Sequence, residues 1–324
     1  MVFSMWHKKL LSILAIIFLL ALFGCSTHEQ KETKRTEINE KHADPSFEIK
    51  KAEPQRLENI FGIGYPGNDE GLYIASQNGI KIFSNGSWLE GTTQKHEYMG
   101  FQTTLDGFIA SGHPEKDSKL QDPLGIVKSI DKGASLEQLA FYGESNFYFL
   151  SSSYNGKTMY IINQEKNSKL KLGVYMSEDE GKSWEKVMLK GLDSNTLGMI
   201  AVHPENNIMA MSTREGIYYS EDKGQNIKKI TNPIMTTALA FSEDSLYYSS
   251  AENNKVLFYK MDLQSFNVNS VNIPFLSYDN PITYIAVNNK DQNKLSFATY
   301  LNDVYESADG GQTWKLVLKN GRIE

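Results

Sequence analysis

The chain has 324 residues, of which 40% are hydrophobic and 22% charged, and a formal net charge of −6. That balance excludes a chain disordered throughout and supplies enough apolar surface for a sizeable core. The 33 Lys and Arg are spread along the sequence rather than clustered, which argues against a nucleic-acid partner.

Residues 1–25 read as a targeting segment. His7, Lys8 and Lys9 form a positive start, and Leu10 to Phe23 is an uncharged apolar stretch of 14 residues, short of the ~20 that a spanning helix needs. It ends in Leu22-Phe23-Gly24-Cys25, which resembles the bacterial lipobox, with Phe23 an unusual filler. The resemblance implies that Cys25 becomes the lipidated amino terminus and holds the protein to a membrane on the extracytoplasmic face. Ser26 follows the Cys, where an Asp retains lipoproteins at a Gram-negative inner membrane. Cys25 is the only cysteine, so the mature chain has no disulfide, no Cys-based metal site and no Cys nucleophile.

Residues 26–54 are mostly Lys, Glu, Thr, Asn, Gln and His, the composition of a flexible tether; as a coil it spans roughly 30 Å. Phe47-Glu48-Ile49 is its one apolar island, a candidate short strand. The remaining residues, 55–324, form one domain.

Four segments of that domain share Ser-x-Asp-x-Gly-x-x followed by a large apolar residue: Ser129, Asp131, Gly133 with Leu136; Ser177, Asp179, Gly181 with Trp184; Ser220, Asp222, Gly224 with Ile227; and Ser307, Asp309, Gly311 with Trp314. Average residue usage predicts about 0.1 chance matches in such a length. Alternating apolar runs such as Gly173 to Met176 and Gly216 to Tyr219 precede them, with two more strand-like runs upstream, so one unit is four short strands. Eroded copies fit the same frame at Ile82 to Trp88 and Leu257 to Asp262. The Ser positions 84, 129, 177, 220, 260 and 307 give steps of about 40 to 48 residues, the period of a propeller blade. The expected fold is an all-β, six-bladed β-propeller over residues 57 to about 318, with five or seven blades as the alternative.

These segments resemble the Asp-box, or bacterial neuraminidase repeat. There the Asp takes backbone N–H bonds across a hairpin turn, the Gly supplies a positive φ, and the Trp packs over the hairpin. The resemblance places the boxes between strands three and four on one face and the ligand on the other. On that other face the longest loop is Ser111 to Gly125, where blade four needs only Arg214 and Glu215; a loop that exceeds its repeat minimum is a place to look for function. Its Glu115, Asp117 and Asp122, with Glu144 of the next crossing, are the candidate catalytic acids; His113, Tyr142 and Arg214 are candidate ligand contacts. Asp193, Glu215 and Asp279 lie on neighbouring loops. His96 and His203 are weaker candidates. No cofactor or metal site is expected, and the chain reads as a monomer.

Ala-Ser-Gly-His-Pro (110–114), Pro-Leu-Gly (123–125) and Phe141 to Phe147 are similar to a family of bacterial Asp-box lipoproteins usually labelled glycosyl hydrolases, and more distantly to sortilin-type propellers and photosystem II stability factors. Leu136 and Ile227 depart from the Trp of the box. A sialidase would need three arginines to clamp its substrate carboxylate, one in an Arg-Ile-Pro motif. This chain has only Arg35, Arg56, Arg214 and Arg322 and no such motif. Two function classes remain: a tethered module binding a protein or glycan, and a glycoside hydrolase using two carboxylates on the same face.

Overall fold

In the computed structural model, which describes residues 46–324, the repeats fold as six antiparallel sheets. The signal segment, Cys25 and the first part of the tether lie outside the described residues. From the inside out, blade one is Ile60–Gly64, Leu72–Ser76, Gly79–Ser84 and Ser87–Gly91, and blade two is Glu97–Thr104, Gly107–His113, Ile126–Ser129 and Glu137–Ala140. Blade three is Leu150–Ser152, Met159–Asn163, Gly173–Ser177 and Glu185–Lys186; blade four is Ile200–Val202, Met209–Thr213, Gly216–Ser220 and Lys228–Lys229. Blade five is Thr236–Phe241, Ser245–Glu252, Lys255–Asp262 and Val268–Val271; blade six is Ile282–Val287, Leu295–Thr299, Val304–Ser307 and Lys315–Leu318.

The second strand of each blade is apolar on both faces because each face meets a neighbouring blade. Leu72 and Ile74 pack toward blade six, while Tyr73 and Ala75 pack with Phe108 and Ala110 of blade two. Ile109, on the other face of that strand, meets Met159 and Ile161 of blade three. Tyr160 and Ile162 then meet Met209 and Met211, Ala210 meets Leu246 and Tyr248, and Tyr247 meets Leu295 and Phe297. Ala298 returns to Leu72 and Ile74. Six interblade cores close a ring, so the chain is a six-bladed β-propeller, and five or seven blades do not occur.

Each blade is continuous in sequence, so the ring is closed by its ends. Ile49–Lys51 pairs outside Ser87–Gly91, with Ile49 opposite Gly91, and makes blade one five-stranded. The blade-one sheet therefore reaches back into the polar segment 26–54. Gln55–Arg56 then pairs with Arg322–Ile323 in a two-stranded clasp, and Leu57 N donates to Gly321 O at 2.8 Å.

The four Ser-x-Asp-x-Gly turns join the third and fourth strands of blades two, three, four and six. In each, the Ser hydroxyl donates to the Asp at 2.8 Å and accepts the Gly N–H at 2.8 or 2.9 Å. The four glycines have φ of 93°, 83°, 82° and 88°. The residue four past each Asp uses both carboxylate oxygens: Ser135, Ser183, Asn226 and Thr313 donate their backbone N–H to one oxygen and their side chain to the other. The hydroxyl or amide at that position is as regular as the Asp itself. Hydrogen bonds from the Ser183 side chain and backbone and from Ser177 hold the Asp179 carboxyl down to about 2, and Asp309 sits at about 2 through Thr313 and Ser307. A depressed carboxyl stabilises the fold above its unfolded value and loses that contribution as pH falls toward 2. Asp179→Ala is therefore expected to lower the melting temperature at pH 7 and to flatten the acid limb between about pH 4 and 2, read by thermal melts across that range. An acid limb identical to the parent's is the result that removes the role.

Candidate functional site

The loops between strands two and three and the crossings between blades lie on the face opposite the four turns. The blade-two insertion on this face is fastened to both flanking crossings. His96, fully buried, donates from Nε2 to Gln94 Oε1 at 2.8 Å and accepts the Glu115 N–H at Nδ1 at 2.9 Å. Glu115 Oε2 accepts the Lys95 N–H at 3.0 Å. On the other side, Gln121 N donates to Tyr142 Oη at 2.7 Å and Gly143 N donates to Pro123 O at 2.8 Å.

His113 bridges the two ends. Its Nδ1 lies 2.5 Å from Asp122 Oδ1, and its Nε2 accepts from Asn146 Nδ2 at 3.0 Å. Asn146 Oδ1 in turn accepts from the buried Ser111 hydroxyl at 3.2 Å. The structure thus brings together His113, Asp122 and Asn146, and joins Tyr142 to the same loop. Glu144 turns instead to blade three, where its carboxylate accepts from Ser168 N at 3.3 Å and Ser168 Oγ at 2.5 Å. Asp117 is exposed on a left-handed turn with φ of 69°. Arg214 is exposed, and among the described residues its one hydrogen bond is from its backbone N–H to Thr196 Oγ1 at 3.0 Å. Glu215 accepts from Ser194. His203 is buried, with Nε2 on Glu243 O at 2.8 Å.

Burial depresses the His96 pKa, and the charge of Glu115 opposes that only in part. A histidine kept neutral in the fold costs stability as pH falls below its unfolded value of about 6.5. Denaturant melts at pH 7.5 and 5 are expected to show a smaller drop for His96→Gln than for the parent; an equal drop removes His96 as the cause.

None of the candidate acids lines the central channel. Its wall is made by the innermost strands of all six blades, including Gln102, Thr103, Ser151, Ser152 and Tyr284, around about 90 Å³. Among the described residues no three His, Cys, Asp or Glu converge to hold a metal ion.

Large exposed apolar side chains are concentrated on the far side, among exposed charged residues such as Asp117, Glu144 and Arg214. Of the 13 exposed large hydrophobic residues among those described, eight lie on its loops. Tyr148, Leu172 and Leu197 lie on loops of blades two to four; Met235, Phe275, Tyr278, Tyr300 and Leu301 gather at blades five and six. Tyr278 Oη is 3.8 Å from Met235 Sδ, and Tyr300 N donates to Pro281 O at 2.9 Å. Residues without periodicity in a loop give no strand or helix signal, so the sequence marks the acids of these loops and passes over the rings beside them.

The family model described as "Sortilin, neurotensin receptor 3" matches residues 172–301, less than half of the chain. No curated protein matches. Among solved structures, an ancestral GH74 enzyme is 15% identical with a TM-score of 0.52, covering 84% of this chain and 40% of that one. The GH74 xyloglucanase from Xanthomonas campestris is 14% identical with a TM-score of 0.53, covering 84% and 47%. The tricorn protease is 9% identical with a TM-score of 0.55, covering 83% and 27%. The chain spans less than half the length of each of these three, and the likeness is one of propeller fold.

Proposed function

We propose that the protein is a lipid-anchored, extracytoplasmic Asp-box propeller that binds a protein or glycan through the face opposite its boxes. The observation that carries this reading is the concentration of exposed large apolar side chains on that face, since exposed apolar patches on soluble domains mark interaction sites. Lipidation at Cys25 would hold the described residues at the membrane.

The hydrolase reading would need one carboxyl held protonated near neutral pH as general acid. Each described carboxyl whose pKa departs from its ordinary value is pushed down instead, with Glu90, Asp179 and Asp309 at about 2. Glu115, Asp122 and Glu144 accept hydrogen bonds from neighbouring backbone or side-chain groups, which suits a framework better than a proton shuttle.

The test uses three variants of the full chain. Cys25→Ala is expected to move the protein from the membrane fraction to the soluble or unprocessed one. In that background, Tyr300→Glu should lower retention on intact cell envelopes at least tenfold, while Leu105→Glu, on the box face, should leave it unchanged. Equal retention of the two surface variants removes the binding face; membrane attachment of Cys25→Ala at mature size removes the anchor.

A further inference from the structure

The loop surface at blades five and six narrows the ligand class, resting on the binding role just proposed. The crossing from blade five to blade six is pinned from below. Leu276 is buried in the core between the two blades with Val256 and Phe258, and its carbonyl accepts the Val256 N–H at 3.3 Å. Asn280 N closes a turn on Ser277 O at 2.9 Å. Phe275, immediately before the buried Leu276, is 81% exposed, and Tyr300 is 67% exposed. An aromatic ring that points into water from an anchored loop has little conformational freedom left to lose on binding, and aromatic anchors of this kind dominate binding energy at protein interfaces.

The polar groups next to these rings are already engaged. Asn280 Oδ1 accepts the Leu301 N–H at 2.8 Å and its Nδ2 donates to Asp303 Oδ2 at 3.4 Å. Asp303 Oδ1 accepts the Asn320 N–H at 2.8 Å. Asn302 Nδ2 donates to Glu58 O at 3.0 Å. These bonds hold Asn280, Asn302 and Asp303 to the framework, so fewer of the polar groups that would satisfy a stacked sugar's hydroxyls are free beside Tyr300. Apolar side chains have no such need. Asp279, exposed and beside Tyr278, makes no hydrogen bond or ion pair among the described residues, so one carboxylate stands ready at the edge of the apolar surface.

We propose that Met235, Phe275, Tyr278, Tyr300 and Leu301 form a docking surface for a protein segment that carries large apolar side chains and a lysine or arginine, the cation pairing with Asp279. The apolar rings supply affinity and the carboxylate sets register and salt dependence.

A random dodecapeptide library displayed on phage and selected on the immobilised full chain tests this. The selected peptides, resynthesised, are expected to share large apolar residues with a Lys or Arg. Phe275→Ser and Tyr300→Ser should each weaken them at least tenfold without a shift in melting temperature. Asp279→Asn should weaken them about threefold and reduce the salt dependence; Leu105→Ser should change nothing. Failure to enrich any sequence, or enriched peptides indifferent to Phe275 and Tyr300, overturns the proposal. Xyloglucan oligosaccharides serve as the second probe. If they bind and Phe275→Ser abolishes it, the protein partner falls and the binding face stands; if neither probe responds to any variant, both fall.

Discussion

Lys81→Met is expected to lower the melting temperature by on the order of 10 °C. Lys81 is fully buried on the third strand of blade one, where its ammonium binds the Glu90 carboxylate and donates to Asn78 O at 2.9 Å. Glu90, 1% exposed, is also held by Lys95 Nζ at 3.2 Å, Gln55 Nε2 at 3.1 Å and Glu53 N at 3.3 Å. Burial alone would raise the Glu90 pKa; the bonds from Lys81, Gln55 and Glu53 outweigh it and bring it to about 2. With Lys95 still in place, removing Lys81 leaves the buried carboxylate only partly compensated, toward the lower end of the about 3–5 kcal/mol that an unpaired buried charge costs, and a domain of this size loses roughly 2–4 °C per kcal/mol. The double variant Lys81→Met with Glu90→Leu removes both charges and should recover much of the loss. Thermal melts of the three proteins decide the matter: a single variant that melts with the parent shows that the pair is not buried. The Glu90 contribution is present above its unfolded value near 4.5 and fades as pH falls toward 2, so the deficit of Lys81→Met should narrow in acid.

Gly112→Ala is expected to be as damaging, for a reason of space. Gly112 opens the blade-two insertion at φ of 135°, and a Cβ there would lie 1.9 Å from Glu97 O. Its own carbonyl accepts the Leu124 N–H at 2.8 Å, so the backbone cannot swing away without releasing the loop. Strain in this region costs about 1–3 kcal/mol before any clash. Gly86 is the internal control. It has φ of 75° with nothing within 4 Å of an added Cβ, so Gly86→Ala should cost only about 1 kcal/mol. Equal melting temperatures for the two variants would show that the Gly112 contact relaxes freely.

Much of this architecture is legible before any coordinates. The two-residue alternation of Met159 to Asn163 or Met209 to Thr213 places successive side chains in different interblade cores, and the regular turns set the blade period. What is not legible has physical causes. The clasp strands Gln55–Arg56 and Arg322–Ile323 are two residues long and carry no pattern. Lys81, set between Ile80 and Ile82, gives no local sign of its partners, yet it is buried, with Gln55 and Glu53 of the amino-terminal strap bound to its partner Glu90. In the insertion, the loop's length beyond the repeat minimum nominates the acids and histidine, and His113 and Asp122 do meet. Asn146, which completes their network, lies in a crossing where an Asn is unremarkable. The insertion's attachment to His96 depends on tertiary contact alone.

The clasp also bears on the order in which the ring can assemble. Neighbouring blades are neighbours in sequence, so five of the six interblade cores form between segments a few tens of residues apart. The sixth joins Leu72 and Trp88 to Val304 and Leu318, and the clasp sets Gln55 against Ile323. Closing a loop of that length has the largest entropy cost in the molecule, and the seam core with the clasp rewards it only once both ends of the chain are in place. The seam is therefore expected to be the last joint to form, and hydrogen exchange during refolding checks it: protection of Gln55, Leu57 and Ile323 amides that arrives with that of the middle blades would remove the expectation.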